Sequence, residues 1–181
     1  MSSANQRQGG GMKLYSNNIQ NGVIAPEFGK YGEQKLPNGK PTRSFHLSWS
    51  DVPAKTKSLA IIFSDQDAIP PCGFEWIHWT VANIEPTMHE LPENASCELD
   101  LLQGATSWSS GLLSDEMRLG IDEDSGFGGC APPDKDHTYT IEFFALDCVL
   151  DLSPGFFKNE LWWAMQGHII DTAKLEAIYR C

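Results

Sequence analysis

Residues 42–84 contain three segments with the hydrophobic patterns of β-strands, and these segments constrain the fold more than any other feature. In residues 42–50 apolar and polar side chains alternate, which is typical of a strand with one buried face. Residues 58–64 form a short apolar run with two isoleucines, which is typical of a strand buried on both faces. Residues 76–84 alternate again, with Ile77, Trp79 and Val81 on one face. The sequence therefore predicts a domain built mainly from β-strands.

The rest of the chain adds long loops, two further strands and one helix. Residues 85–136 are rich in Gly, Pro, Ser and Asp, which predicts surface loops with a short helix or strand near residues 99–102. Residues 138–147 and 174–180 alternate and are predicted to be strands. Between them, Ser153 and Pro154 are typical of a helix N-cap and first helical position, and apolar residues then recur every four positions up to Ile169. A helix is expected there, with His168 as a partly buried structural residue within it.

The composition indicates one globular domain and excludes two classes of protein. The chain has 181 residues, of which 41% are hydrophobic and 20% are charged, so it can bury a sizeable core without staples. Residues 13–181 are predicted to form a single domain, and residues 1–12 a flexible lead-in or a remnant of cloning. The net charge of −11 disfavours a nucleic-acid binder. The longest apolar run, residues 59–63, is too short to span a membrane.

The cysteine pattern favours a reduced, cytoplasmic protein without a metal centre. Five cysteines leave one over in any disulfide scheme, and no CxxC or zinc-type Cys/His spacing is present. The N-terminal sequence also lacks the charged-then-apolar pattern of a secretory signal. We therefore expect five free thiols, no metal ligands and a cytoplasmic location.

Two segments place polar side chains beside the strands of residues 42–84. Asp65 and Asp67 follow the buried strand and would share a face if that strand continued, but Asp-rich and Pro-rich stretches are also typical of turns. Trp76 and His78 share one face of the next strand. A lone histidine on a strand is more often a packed, hydrogen-bonded side chain than a functional group, and tryptophans are more often core than ligand platform, so the structural interpretation stands beside the functional one.

A third segment, residues 127–139, joins a Gly/Pro-rich loop to the start of a strand. Gly129 permits a close approach of the backbone to a ligand, and Pro133 stiffens the loop. His137 and Tyr139 are two residues apart, so they face the same way on a strand. An ordinary turn leading into a strand is the alternative. The residues alone predict a β-rich domain with a cleft lined by Asp and His.

In order, the three segments resemble the phosphatidylethanolamine-binding protein family, specifically its prokaryotic Raf-kinase-inhibitor-like (YbhB/YbcL) branch. That branch shows Asp-Pro-Asp-Ala-Pro, a His-Trp strand followed by Asn-Ile/Leu-Pro, and Gly-Gly-Pro-x-Pro-Pro before His-Arg-Tyr. The corresponding stretches here are DQDAIP, HWTVANIEP and FGGCAPPDKDHTY, and the ending AMQGHIIDTAKLEAIYR is also similar. The resemblance extends from about residue 44 to residue 180. Three prolines and one arginine of the pattern are replaced, by Gln66, Ile69, Cys130 and Thr138.

The resemblance implies a mainly β fold in which a large central sheet packs on a smaller sheet, with a C-terminal helix at one side. It also implies a small anion-binding pocket that the three segments form together. The residues expected to line or support this pocket are Asp65, Asp67, Trp76, His78, Gly129, Pro133, His137 and Tyr139.

The expected function is non-catalytic binding of phosphorylated small molecules or phospholipid head groups, without a cofactor. Glycine amides, the tyrosine hydroxyl and histidine N–H groups can donate to phosphate oxygens. Because histidine titrates near pH 6.5, protonation of His78 and His137 would strengthen anion binding between about pH 8 and pH 6. The alternatives are a protein-binding regulator of a kinase or protease, and an acid/base hydrolase that uses the Asp/His cluster.

Overall fold

The structure is a computed structural model that describes residues 11–181 of the chain. In chain order, the strands are β1 (Lys13–Tyr15), β2 (Ile19–Gln20), β3 (Val23–Ile24), β4 (Leu47–Ser50), β5 (Ser58–Asp65), β6 (Trp76–Ile84), β7 (Glu90–Leu91), β8 (Leu102–Gln103), β9 (His137–Leu146) and β10 (Ile169–Tyr179). The α-helices are α1 (Ile69–Cys72), α2 (Ala95–Glu98), α3 (Ile121–Asp124) and α4 (Lys158–Met165). Pro26–Phe28 and Ser107–Ser109 form short 3-10 helices.

The strands form two sheets, and this confirms the mainly β, two-sheet fold expected from the sequence. The large sheet has seven strands in the order β2-β3-β10-β9-β5-β6-β8, and the small sheet has three in the order β1-β4-β7. The pairings are antiparallel except between β3 and β10, which run parallel.

Strand β5 lies inside the large sheet and is buried along its whole length. Ile61 and Phe63 point into the larger core, which also contains apolar side chains of β1, β4 and β7. Ile62 points into the smaller core on the other face, against Leu161 and Met165 of α4. Because both faces of this strand are buried, residues 58–64 form a continuous apolar run and do not alternate between apolar and polar side chains.

The predicted start of the C-terminal helix at Ser153 and Pro154 is wrong. Gly155 has a φ of +80°, a left-handed conformation that a right-handed helix cannot contain, so the two preceding residues lead into a turn. Helix α4 begins only at Lys158.

The end of this helix also differs from the prediction. Strand β10 starts at Ile169 rather than near residue 174, and Ile169 pairs with Leu146 of β9. His168 therefore lies in the turn between α4 and β10, and its side chain is 47% exposed. The expectation of a partly buried helical histidine was wrong, because its four-residue spacing pattern ran past the end of the helix.

Residues 85–136 contain only short elements, as the sequence indicates. Helix α2 and strand β8 flank the position near residues 99–102 where a short element was predicted. At the start of the described chain, Met12 is buried and its amide donates to the Asp171 carboxylate at 2.9 Å. Residues 1–10 of the predicted lead-in lie outside the described residues. Within residues 11–181, no helix is both long and apolar enough to cross a bilayer.

Candidate functional site

The three polar segments converge because their strands are neighbours in the large sheet, as predicted. Strand β5 lies between β6 and β9, and Asp65 is in register with Trp76 on one side and with Tyr139 on the other. The Tyr139 ring centre lies 5.1 Å from that of His78 and 6.5 Å from that of His137. Residues up to 74 positions apart in the chain thus meet at one end of the sheet.

A cavity of about 280 Å³ opens at this end of the sheet. Its size is close to the lower limit of roughly 300–1,000 Å³ that is usual for small-molecule sites. Five of the predicted residues line it, namely Asp65, Trp76, His78, Pro133 and Tyr139. The sequence analysis missed the other lining residues, which are Ala68, Cys72, Trp108, Leu113, Met117 and Ala131. The missed residues are mostly apolar, and five of them come from α1 or from loops without a periodic pattern, while Trp108 lies in a 3-10 helix.

Asp67 and Gly129 lie near the cavity but do not line it. The Asp67 carboxylate accepts a hydrogen bond from the Thr138 amide at 2.9 Å, which ties the loop after β5 to the start of β9. The Gly129 amide donates to the Pro41 carbonyl at 2.8 Å, and a Cβ at this position would lie only 2.7 Å from the Phe28 carbonyl oxygen. The expectation that this glycine offers a free N–H to a ligand is therefore wrong, because close packing occupies it.

His137 lies behind the cavity between two carboxylates. Its Nδ1 bonds to Asp65 at 2.7 Å and its Nε2 bonds to Asp134 at 2.8 Å. Burial disfavours the imidazolium ion, but the two carboxylates outweigh this effect and raise the pKa of His137 above its ordinary value. Both ring nitrogens are engaged, so His137 positions Asp65 and holds positive charge near the cavity without contacting an occupant.

His78 lies on the cavity wall and behaves in the opposite way. Its Nδ1 bonds to the Gly128 carbonyl at 2.6 Å, and because a carbonyl only accepts, Nδ1 carries the proton. Burial lowers the pKa of His78 to about 4, so its imidazole is neutral at physiological pH. Nε2 is then a hydrogen-bond acceptor. The expectation that His78 becomes a cationic donor between pH 8 and pH 6 is therefore wrong.

Three residues of the cavity wall have buried polar atoms that lack a hydrogen-bond partner within the described part of the chain. These atoms are the indole nitrogens of Trp76 and Trp108 and the hydroxyl of Tyr139. A buried donor without a partner costs free energy, and burial also raises the pKa of the Tyr139 hydroxyl, so it keeps its proton. Residues of the wall thus carry three neutral donors that have no partner within the described part of the chain.

A buried ion pair supports the Trp108 side of the cavity. Lys40 and Asp124 are almost fully buried, and the Lys40 ammonium lies 2.8 Å from the Asp124 carboxylate. The same carboxylate accepts hydrogen bonds from the amide and hydroxyl of Thr106, each at 2.7 Å. A Cβ on Gly128 would lie within 3.2 Å of both the Trp108 indole and the Lys40 side chain, so these groups are in close contact. The sequence analysis gave no signal for this pair, whose members are separated by 84 positions.

The charge around the cavity limits its chemistry. Asp65 is the charged side chain on the wall, and no Lys or Arg among residues 11–181 lines the cavity. Thr138, where the family pattern has arginine, is exposed on the opposite side of β9 from His137 and Tyr139. The Cys72 thiol is on the wall, but burial and the charge of Asp65 raise its pKa, so it is protonated at neutral pH. The arrangement is suited to hydrogen bonding with a partly apolar ligand.

Comparisons with known proteins agree with this geometry. The family model described as phosphatidylethanolamine-binding protein matches residues 15–180. An uncharacterized protein of Bacillus subtilis, YxkA, is 42% identical over 163 residues, which cover 88% of this chain and 95% of that protein. The crystal structure of a putative phosphatidylethanolamine-binding protein homologue from Chlamydia trachomatis has 32% identity and a TM-score of 0.75, and the match covers 94% of this chain and 98% of the other. The crystal structure of Escherichia coli YbcL has 27% identity and a TM-score of 0.73, and the match covers 95% of this chain and 99% of YbcL.

Proposed function

The chain belongs to the phosphatidylethanolamine-binding protein family, and from that premise we propose that its cavity reversibly binds a small molecule with a phosphate-type head group. The ligand is a phosphorylated metabolite or the head group of a phospholipid. The observation that carries the proposal is the set of three unpaired donors on the cavity wall, from Trp76, Trp108 and Tyr139. The phosphate oxygens would accept hydrogen bonds from these donors.

The remaining polar groups select the protonation state of the head group. His78 Nε2 accepts hydrogen bonds, and Asp65 is an anion, so a fully ionised phosphate would meet an acceptor and a like charge. A singly protonated phosphate monoester removes one of these conflicts, because its P–OH can donate to His78. The second ionisation of a phosphate monoester lies near pH 6, so a monoester should bind more tightly at pH 6 than at pH 8 through the ligand rather than through His78. The phosphodiester of a phospholipid head keeps a single negative charge over this range, so its binding should not change with pH in this way.

The apolar part of the wall gives a place for the rest of the ligand. Leu113, Met117 and Trp108 line the cavity from the loops between β8 and β9, and Met117 is 42% exposed. An aromatic or alkyl group attached to the phosphate would bury apolar area against them. Binding without turnover is supported by the protonated Cys72 thiol and the neutral donors, which contribute no activated nucleophile to the wall.

Calorimetry with phenyl phosphate and phenyl sulfate tests this proposal. The two ligands share shape and an aromatic group, but only the phosphate ester carries an acidic proton near pH 6. We expect phenyl phosphate to bind more tightly at pH 6 than at pH 8, and phenyl sulfate to bind more weakly with no pH dependence. Equal binding of the two esters at pH 6 would contradict the proposed role of His78.

Two variants locate the binding. Tyr139→Phe removes one donor to a charged oxygen and should weaken phenyl phosphate binding by roughly tenfold or more. Thr138→Ala changes the neighbouring exposed residue and should leave the affinity unchanged. If both variants bind like the unmodified protein, the head group does not lie in this cavity. Mass spectrometry of small molecules that copurify with the folded protein would identify the natural ligand.

A further inference from the structure

Asp147, Cys148 and His168 form a side-chain cluster outside the cavity, at the junction between β9 and β10. Their carboxylate oxygen, thiol sulfur and ring nitrogen lie within 4.8 Å of one another. Asp147 and Cys148 directly follow β9, and His168 directly precedes β10. The cluster therefore joins residues about 20 positions apart, which do not form a zinc motif of closely spaced ligands.

The backbone holds this cluster in a defined position. The Asp147 amide donates to the His168 carbonyl at 3.0 Å, which extends the β9–β10 ladder by one step beyond the Leu146–Ile169 pair. On the other side, the Ser58 hydroxyl donates to the Cys148 carbonyl at 2.5 Å. Both ends of the cluster are thus fixed by main-chain contacts before any metal binds, which reduces the entropic cost of coordination.

The side chains are poised for coordination and are open to solvent. The His168 Nδ1 bonds to the Asp147 carboxylate at 2.8 Å, and the two side chains are 47% and 48% exposed. The Cys148 thiol is partly buried and makes no hydrogen bond within the described residues. A hydrogen bond alone would account for the aspartate and the histidine. The Cys148 side chain packs against the smaller core, and this packing places its sulfur beside the aspartate and the histidine as a third, soft ligand atom.

We propose that this cluster binds a divalent transition-metal ion of the zinc type. Sulfur, nitrogen and oxygen ligands together suit Zn²⁺, whereas Mg²⁺ and Ca²⁺ prefer oxygen alone. The ion takes Cys148 Sγ, His168 Nδ1 and one Asp147 oxygen, with water as the fourth ligand. On binding, the thiol proton is released to solvent and the imidazole proton moves from Nδ1 to the exposed Nε2. Zinc–ligand distances near 2.0–2.3 Å require the Asp147 and His168 atoms to separate by only roughly half an ångström.

The bound ion is expected to have a structural role, as a cross-link between two strands, rather than a catalytic one. The three ligands come from the two ends of the β9–β10 junction, so the ion would cross-link the end of one strand to the start of the next. An ion that binds the folded chain and not the unfolded chain raises the melting temperature, and the rise grows with the logarithm of the ion concentration divided by its dissociation constant. The site and the ligand cavity use different residues, so this proposal does not depend on the proposed function.

Titration of the full-length, reduced and metal-free protein with Co²⁺ and then Zn²⁺ tests the proposal. Co²⁺ reports thiolate coordination by a charge-transfer absorption band, which Zn²⁺ should abolish by displacement. We expect one Co²⁺ per chain and a rise of a few degrees in melting temperature with Zn²⁺. Cys148→Ser should remove the band, and His168→Gln should weaken Zn²⁺ binding at least tenfold. Cys97→Ser, at an exposed cysteine outside the cluster, is the matched control and should keep both properties.

The same titration can overturn the proposal. A charge-transfer band that persists in Cys148→Ser and disappears in Cys97→Ser would place the thiolate ligand elsewhere. Zn²⁺ binding of equal strength in the unmodified protein, Cys148→Ser and His168→Gln would mean that metal binding is adventitious. All three ligands lie at the surface or near it, so each variant is expected to fold, and its unchanged melting temperature without metal would verify this.

Discussion

Two buried ionic clusters support the cavity, and they differ in their access to solvent. The Lys40–Asp124 pair is sealed, since both side chains are at most 2% exposed and both carboxylate oxygens accept hydrogen bonds. The Asp65–His137–Asp134 cluster is open at one end. Asp65 reaches the cavity, His137 is fully buried, and Asp134 is 47% exposed.

This difference separates a structural role from a functional one. A sealed pair cannot change its charge without leaving an uncompensated ion in the core, so it fixes the loops that carry Trp108. The open cluster can exchange a proton with solvent near Asp134, while the imidazole holds Asp65 in place on the other side. The first cluster should therefore contribute mainly to stability, and the second should make stability depend on pH through its buried histidine.

The largest expected effect comes from breaking the sealed pair. Lys40→Met leaves the Asp124 carboxylate buried without its counter-ion and should lower the free energy of unfolding by about 3–5 kcal/mol. Urea denaturation at pH 7 measures this change. Lys13→Met, which breaks the exposed pair with Asp51, is the matched control and should have no measurable effect. A similar small decrease in the free energy of unfolding of both variants would show that the buried pair contributes no more to stability than the exposed pair.

The second effect is acid destabilisation caused by His78, a neutral histidine beside the open cluster. Its pKa is about 4 in the folded chain and about 6.5 when unfolded, so the unfolded state binds the proton first. Stability should therefore fall as the pH drops from 6.5 toward 4, by about 3 kcal/mol from this residue. His78→Asn keeps a donor for the Gly128 carbonyl but does not titrate, so its stability should fall less steeply. Denaturation at several pH values measures this. If the free energy of unfolding falls equally steeply with pH in the unmodified protein and in His78→Asn, His78 is not the cause of the acid destabilisation.

A smaller effect of opposite sign is expected from His137 in the open cluster. Its carboxylate partners raise its folded pKa, so its contribution to stability is complete below pH 6.5 and is lost as the pH rises through the raised value. Asp134→Asn removes one carboxylate partner at the exposed end and should reduce this alkaline loss in thermal melts between pH 6 and pH 9. Asp115→Asn, in an exposed pair with Arg118, is the control. An unchanged alkaline slope in Asp134→Asn would mean that the cluster does not set the pH response.

The sequence predicted the strands and their meeting point better than it predicted the roles of individual residues. Strands β5, β6 and β9 have local hydrophobic patterns, and the family motifs lie within these strands or directly beside them, so their convergence could be expected. The Trp108 wall and the Lys40–Asp124 pair depend on contacts between distant loops and leave no local pattern. The neutral state of His78 depends on its burial, and the Gly129 amide is occupied because it donates to the carbonyl of Pro41, a residue distant in the chain. Neither property can be read from residue types alone.

The smallest effect on stability is expected from Tyr139→Phe, although the Tyr139 hydroxyl is central to the proposed ligand binding. The Tyr139 hydroxyl has no partner within the described residues, so Tyr139→Phe removes no hydrogen bond and should change the free energy of unfolding by less than about 1 kcal/mol. Tyr179 is the matched control, because its equally buried hydroxyl donates to the Pro26 carbonyl at 2.6 Å, and Tyr179→Phe should cost about 1–3 kcal/mol. Urea denaturation without ligand gives both values. If Tyr139→Phe costs as much as Tyr179→Phe, the hydroxyl already has a partner in the free protein. If it costs little, the hydroxyl has no partner in the free protein and its proton can be donated to a ligand.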